Sequence, residues 1–127
     1  NFDPTMLFVC SDKDPNHTHD KCYNIIKNTL KSPNTLNKSL THIFQYMGAW
    51  GQFNPQDKNI IRVNIPFDQY LNKILAIKLH ISQDPPPVPG TDPRDFTERA
   101  IAYNKCPNEP NRYYEYFKYT NIDSFVA

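Results

Sequence analysis

The chain is poor in glycine, which occupies only three of its 127 positions. A phosphate-binding loop needs several glycines in one short segment, because the backbone must approach the phosphates closely. No such motif occurs in the sequence, so nucleotide binding of that type is not expected. Proline occupies 12 positions, and the loops are therefore expected to take their shape from proline.

The chain also lacks a long apolar run and an excess of charge of either sign. No apolar stretch approaches the roughly 18 residues that a membrane-spanning helix needs, so membrane insertion is not expected. The 14 basic and 13 acidic residues leave a formal charge of +1. This balance creates no field that would attract a polyanion, which disfavours binding to nucleic acid.

The chain has an odd number of cysteines, which are Cys10, Cys22 and Cys106. One disulfide would leave one thiol unpaired, and it would form only in an oxidising compartment. Three buried free thiols are the alternative interpretation. The sequence begins at Asn1 rather than at methionine, so we expect a processed chain or an excised domain. The hypothesis is a secreted or surface-exposed protein of a microbe or virus, in which a disulfide is possible and the state of the three thiols stays open.

The length of 127 residues predicts a single domain, residues 1–127, with a real hydrophobic core. Helical signals come early in this domain. A first helix is expected from Asp20 to Lys31, ending before the Ser-Pro pair that follows. A second is expected from Pro33 to Met47, because apolar residues recur there at the spacing of a buried helix face.

Strand signals come mostly later in the chain. The segment 5–10 is a short apolar run bounded by Pro4 and polar residues, typical of a buried strand. Alternation of apolar and polar residues predicts further strands, at residues 60–65, 75–81, 96–103 and 112–120. We therefore predict an α+β fold, an antiparallel four- to five-stranded sheet with two helices packed on one face.

The first candidate site is the densest cluster of metal-capable side chains. It contains Cys10, Asp12, Asp14, His17, His19 and Cys22. Carboxylates, imidazoles and thiolates are common metal ligands, so a metal-binding protein is one hypothesis. The spacing fits neither a calcium loop nor a standard zinc finger. The alternative is a turn in which Thr18 or Asp20 caps the first helix, and no cofactor is then expected.

The second candidate site is a set of acid, base and cationic residues on the predicted strands. A small metal-independent ribonuclease or toxin needs an acid, a base and a cation that stabilises the phosphorane. His80, Glu98 and Arg112 supply these groups. The alternative is a set of ordinary cross-strand ion pairs on an exposed sheet face.

The third candidate site is a run of aromatic residues near the C-terminus. Alternation along a strand divides the run between two faces: Tyr113, Phe117 and Tyr119 on one, Tyr114 and Tyr116 on the other. One face should belong to the core. We expect the other to recognise a partner, because tyrosine offers a large contact area at low entropic cost.

A proline-rich segment, residues 84–93, is a second element that could bind a partner. It contains Pro86 and Pro89 at the spacing of a polyproline ligand. A stiff surface loop is the alternative interpretation. Because no catalytic motif is recognisable, the leading hypothesis is a non-enzymatic module that binds a protein partner through the tyrosine-rich strand and this segment. The ribonuclease and metal-binding hypotheses stay open, and the sequence defines neither the partner nor the oligomeric state.

Overall fold

The structure, a computed structural model, describes residues 3–14, 17–32, 39–48, 53–80, 93–106 and 108–127. These residues form five strands and four helices. The strands are β1 (Met6–Val9), β2 (His42–Tyr46), β3 (Ile60–Ile65), β4 (Lys105–Cys106) and β5 (Glu109–Asn121). The helices are α1 (His19–Lys31), α2 (Phe67–Leu79), α3 (Phe96–Asn104) and α4 (Ile122–Val126). The predicted α+β class is confirmed.

The five strands belong to one sheet, in the order β1-β2-β5-β3, with β4 also paired to β5. The β1–β2 pair is parallel, whereas β2 and β4 each pair with β5 in the antiparallel direction. A parallel pair of successive strands requires a long crossover, and α1 supplies it. The sheet is therefore mostly antiparallel, as predicted, with one parallel pair that the sequence did not indicate.

The chain divides into two compact units. The first comprises Asn1–Ile61 and Tyr116–Ala127, and the second comprises Arg62–Glu115. Among the described helices of both units, none combines the length and the apolar character of a membrane-spanning segment. The expectation of a single domain stays a prediction.

The core of the first unit lies between one face of the sheet and the helices α1 and α4. Val9 and Ile43, from β1 and β2, are almost fully buried there. Tyr23 of α1 and Phe125 of α4 meet edge to face in this core, with 5.2 Å between ring centroids. Two helices thus cover one sheet face, as predicted, but the second of them is α4, which the sequence did not indicate.

The second unit is built around α2, α3 and the first half of β5. Tyr70 and Ile74 form the buried side of α2. Asn104, at the end of α3, is 2% exposed, and its Nδ2 donates to the carbonyl oxygen of Tyr114 at 2.6 Å. Lys73 of α2 donates to Asn104 Oδ1 at 2.8 Å and contacts Glu115. The network satisfies a buried amide, which would otherwise be costly.

The predicted second helix, from Pro33 to Met47, is wrong where the structure describes it, because β2 occupies its last turn. Ile43 and Gln45 of β2 are buried while His42 and Tyr46 are exposed, which is the alternation of a strand. Phe44 lies on the exposed side of the strand. Apolar side chains on both sides of this strand imitate the helical spacing, and this misled the prediction.

The predicted strand at residues 75–81 is also wrong, because residues 75–79 are the last part of α2. Leu75, Ile77 and Leu79 alternate with Ala76 and Lys78 and so imitate a strand. In the helix, Ile77 is half-buried, whereas Leu75 and Leu79 are exposed. The apolar alternation therefore does not reflect burial on one side.

The predicted strand at residues 96–103 is a helix, α3. Asp95 starts this helix by accepting a hydrogen bond from the N–H of Glu98 at 2.7 Å, and the Glu98 carboxylate accepts one from the N–H of Asp95 at 3.0 Å. This capping box satisfies two N–H groups that a helix start leaves unpaired. The Asp-x-x-Glu spacing was the sequence signal that should have predicted it.

Candidate functional site

The cluster at the start of α1 is organised around a buried carboxylate. The Asp14 side chain is 1% exposed, and its Oδ2 accepts from the N–H groups of Thr18 at 3.0 Å and His19 at 2.8 Å. The same oxygen lies 3.2 Å from His19 Nδ1. Asp14 therefore caps α1, whereas the predicted cap was Thr18 or Asp20. Thr18 makes no side-chain cap bond, and Asp20 instead pairs with His17 at 2.9 Å.

The two cysteines of the cluster are free thiols, as is Cys106, so the structure does not support the disulfide that the sequence left open. Cys10 is buried at the end of β1, and its Sγ donates to the carbonyl oxygen of His19 at 3.0 Å. Cys22 lies exposed on α1. Because Cys10 faces the backbone at the start of α1, it takes part in packing the strand against that helix.

Metal binding by this cluster stays a prediction. Within the described residues, no group of three His, Cys, Asp or Glu side chains is arranged to hold a metal ion. The Asp14 oxygen that the hypothesis would use is already occupied by the N–H groups of Thr18 and His19. Asp12 is exposed. The cluster is therefore described best as the start of a helix.

The buried thiol of Cys10 leads us to predict that the protein loses stability at alkaline pH. Burial, and then the nearby Cys22, raise the pKa of Cys10 above its ordinary value of 9.0. As pH rises, the thiol of the unfolded chain loses its proton before that of the folded chain does. The contribution of Cys10 to the free energy of unfolding is therefore complete below about pH 9 and is lost as the pH rises above it. We expect Cys10→Ala to remove this early loss, measured by urea unfolding in reducing buffer from about pH 7 to about pH 11.

Two comparisons control this experiment. Cys22→Ala removes an exposed thiol and should keep the alkaline loss of stability. Burial also raises the pKa of Tyr23 from 10.0, so a second loss above about pH 10 should remain in every variant. A Cys10→Ala protein that loses stability from pH 9 as steeply as the wild type would contradict the assignment to Cys10.

The three residues of the ribonuclease hypothesis each lie in the second unit, within separate local interactions. His80 is exposed at the C-terminal end of α2. The carboxylate of Glu98 belongs to the capping box of α3. Arg112 Nη1 pairs with Glu109 Oε2 at 3.1 Å, and contact with Tyr114, then the charge of Glu109, raise its pKa. No hydrogen bond or ion pair of the described residues joins the three, and the ribonuclease role stays a prediction.

The tyrosines of β5 divide between the two faces as predicted, and the structure shows which face is core. Tyr114 and Tyr116 are 8% and 4% exposed. The Tyr114 hydroxyl donates to Glu109 Oε2 at 3.2 Å. Tyr113 stacks on Tyr70 in the second unit, with 3.8 Å between ring centroids. Tyr114 and Tyr116 are therefore unsuited to binding a partner.

Tyr119 is half-buried and belongs to a surface of the first unit that we call the aromatic face. This surface consists of Met6, Phe8, His42, Phe44, Tyr46, Phe117 and Tyr119. It is the face of the sheet opposite to the core. Pro86 and Pro89, the other predicted binding residues, lie outside the described residues.

The strand register explains how the aromatic face assembles. Phe8 of β1 is the partner of Phe44 of β2, which in turn is the partner of Tyr119 of β5. Paired residues of adjacent strands point to the same side of a sheet, so the three rings form a row across three strands. The next pairs, Met6 with His42 and Tyr46 with Phe117, lie on either side of that row.

The rings of the aromatic face support one another. Phe8 stacks on Phe44 with 5.2 Å between centroids and meets Phe117 edge to face at 5.5 Å. Phe44 is 5.5 Å from Tyr119. Nδ1 of His42 is 3.1 Å from the Tyr119 hydroxyl. Such contacts hold the side chains in fixed positions, which reduces the entropy that binding would cost.

The aromatic face is nevertheless open to solvent in part. Phe8 is 51% exposed, Met6 is 49% exposed and Tyr46 is 42% exposed. The seven residues include no Lys, Arg, Asp or Glu. Sequence reasoning found only the contribution of β5 to this surface. The adjacent pairs Leu7-Phe8 and Ile43-Phe44 were the missed signal, because a strand with large apolar residues at successive positions presents them on both faces.

The aromatic face offers planar apolar area together with the hydroxyls of Tyr46 and Tyr119 and the imidazole of His42. Comparison of the chain with protein-family models, with curated proteins and with solved structures gave no match. Function is therefore inferred from these residues and their geometry.

Proposed function

We propose that the protein is an interaction module that binds a protein partner through the aromatic face. The observation that supports this most is the uncharged surface of seven large side chains on the solvent side of the sheet. Interface centres are enriched in aromatic residues and methionine and depleted of charge. The partner would present a segment with aliphatic or aromatic side chains.

The charge pattern favours a protein partner over a nucleic acid. Aromatic rings on a sheet can also stack on unpaired bases. Nucleic-acid affinity, however, comes largely from Lys and Arg that neutralise phosphates. The aromatic face has none among its residues, and the chain carries a formal charge of only +1.

The exposed part of the aromatic face is large enough to contribute useful affinity. Burying a large apolar side chain fully stabilises a complex by about 1.5–3 kcal/mol. Phe8 and Met6 each have about half of their surface still available. A few such anchors near the centre of an interface usually account for most of its binding energy.

The test is selection of peptides from a phage-displayed random library on the wild-type protein. Enriched peptides are then synthesised and titrated by calorimetry against the wild type, Phe8→Ser and Phe44→Ser. We expect each substitution to weaken binding about three- to tenfold, because it removes apolar surface whose remaining burial is worth about 0.7–1.4 kcal/mol. Circular dichroism checks that the variants remain folded.

Ile25→Ser is the matched control. Ile25 lies on α1 in the same unit, is 65% exposed and does not belong to the aromatic face. Its replacement should leave peptide affinity unchanged. Failure to enrich any peptide, or peptides that bind wild type and Phe8→Ser equally, would overturn the proposal.

A parallel titration with single-stranded oligonucleotides tests the other class of partner. We expect no binding at physiological salt. Salt-dependent binding that Phe44→Ser abolishes would show that the aromatic face stacks on bases, and the protein-partner proposal would then be wrong.

A further inference from the structure

We propose that α2 is a self-association surface, through which two copies of the chain form an antiparallel helix pair. This proposal concerns the second unit and uses no residue of the aromatic face. It can therefore succeed or fail independently of the proposed function. The surface is the apolar ridge of α2, defined as Phe67, Leu71, Leu75 and Leu79.

The apolar ridge is exposed along its whole length. Its four residues recur at every fourth position and are 61%, 43%, 51% and 81% exposed, in chain order. Residues four apart on a helix are neighbours on one face, so the four side chains form a continuous stripe. The stripe runs from the first residue of α2 to the last.

The apolar ridge lies beside the side of α2 that packs within its own unit. Phe67, at its start, meets the ring of Tyr113 at 5.8 Å between centroids and still is 61% exposed. Tyr70 and Ile74 are the buried residues of the helix, and α2 contacts α3. When a helix carries a second apolar side, that side typically packs against a further partner. The ridge thus represents apolar surface that packing within the unit leaves open.

The order of residues along α2 points to a second copy in the opposite direction. The ridge reads nearly the same from both ends. In an antiparallel pair centred on Lys73, Leu71 lies level with Leu75 of the other copy, and Phe67 lies level with Leu79. A twofold axis generates both contacts at once, which is the property of a self-complementary surface.

The charges of α2 favour the antiparallel arrangement over a parallel one. Asp68 is exposed in the first turn and Lys78 is exposed in the last turn. In the antiparallel pair, each Asp68 lies level with Lys78 of the other copy. A parallel pair would place like charges at the same level and align the two helix dipoles unfavourably.

The test begins with the oligomeric state of the full chain. Sedimentation velocity should show a concentration-dependent dimer with a dissociation constant of about 10 µM to 1 mM, because a single 13-residue helix offers a small interface. A protein that stays monomeric up to about 1 mM would overturn the proposal.

Substitutions on α2 then locate the interface. Leu71→Glu puts a charge at the centre of the apolar ridge and should weaken the dimer at least about tenfold. Ala76→Glu is the matched control, because Ala76 is exposed on the same helix about 100° around from Leu75. A dimer that Leu71→Glu leaves unchanged would place the interface elsewhere and overturn the proposal.

Charge reversal tests the direction of the pair. Asp68→Lys alone and Lys78→Asp alone should each weaken the dimer about two- to fivefold at low salt. The double variant should recover wild-type affinity, since opposite charges are restored at the same level. In a parallel pair, like charges would face each other at both levels in the wild type and in every variant, so the double variant would recover nothing. The absence of any difference between the single and double variants would overturn the antiparallel arrangement.

Discussion

Phe125→Ala is expected to lower the free energy of unfolding by about 3–5 kcal/mol. Phe125 is 3% exposed and belongs to the buried cluster between the sheet and the helices of the first unit. Its ring meets that of Tyr23 edge to face, so truncation removes an aromatic contact and also leaves a cavity. Small proteins have about 5–15 kcal/mol of stability in total, so the variant should be close to unfolding at room temperature.

Urea unfolding followed by circular dichroism measures this effect, with Phe8→Ala as the matched control. Phe8 is a phenylalanine of the same unit but is 51% exposed. Its replacement should cost about 1 kcal/mol, through the ring contacts with Phe44 and Phe117. Equal losses in the two variants would contradict the assignment of Phe125 to the core and of Phe8 to the surface.

Asp14→Ala is expected to lower the free energy of unfolding by about 2–4 kcal/mol, which is the second largest effect predicted for this protein. The change removes the acceptor of two N–H groups at the start of α1. Caps of this kind contribute about 0.5–2 kcal/mol, and hydrogen bonds to a buried charged group contribute more. The N–H groups of Thr18 and His19 would lose their partner at a site that strand and helix partly enclose. Urea unfolding again measures the loss.

Two further variants separate helix capping from metal binding at this site. Asp12→Ala removes a carboxylate that is exposed and should cost less than about 0.5 kcal/mol. Asp14→Asn keeps an acceptor oxygen and should cost less than Asp14→Ala. If a chelator destabilised the wild type as much as Asp14→Ala does, the cluster would be a metal site and the capping explanation would be insufficient.

Local patterns in the sequence were sufficient for four of the described elements. The apolar run of β1 and the periodicity of α1 led to correct predictions, and so did the alternation in β3 and β5. Prediction failed at β2 and α2, which carry large apolar residues on a second, exposed side. Phe44 in β2 and Leu75 in α2 imitate the spacing of the other type of element. At α3, the capping box of Asp95 and Glu98 was a local signal that was overlooked.

The candidate site was predictable only in part for the same reason. Alternation divided the tyrosines of β5 correctly between two faces, but it could not say which face is core. That depends on α1 and α4, which cover the face of Ile43 and leave the face of Phe44 open. The predicted binding residues Tyr114 and Tyr116 consequently became core residues, while Phe8 and Phe44 were missed.

The sequence by itself determined the α+β class, the absence of a strong charge field and the presence of an aromatic strand, because composition and short-range periodicity carry that information. Only the tertiary structure decided that β1 lies parallel to β2 and that Phe8, Phe44 and Tyr119 form one row. It also decided that the carboxylate of Asp14 caps α1. Pairing between residues distant in the chain depends on which surfaces bury together, and no local pattern records that choice.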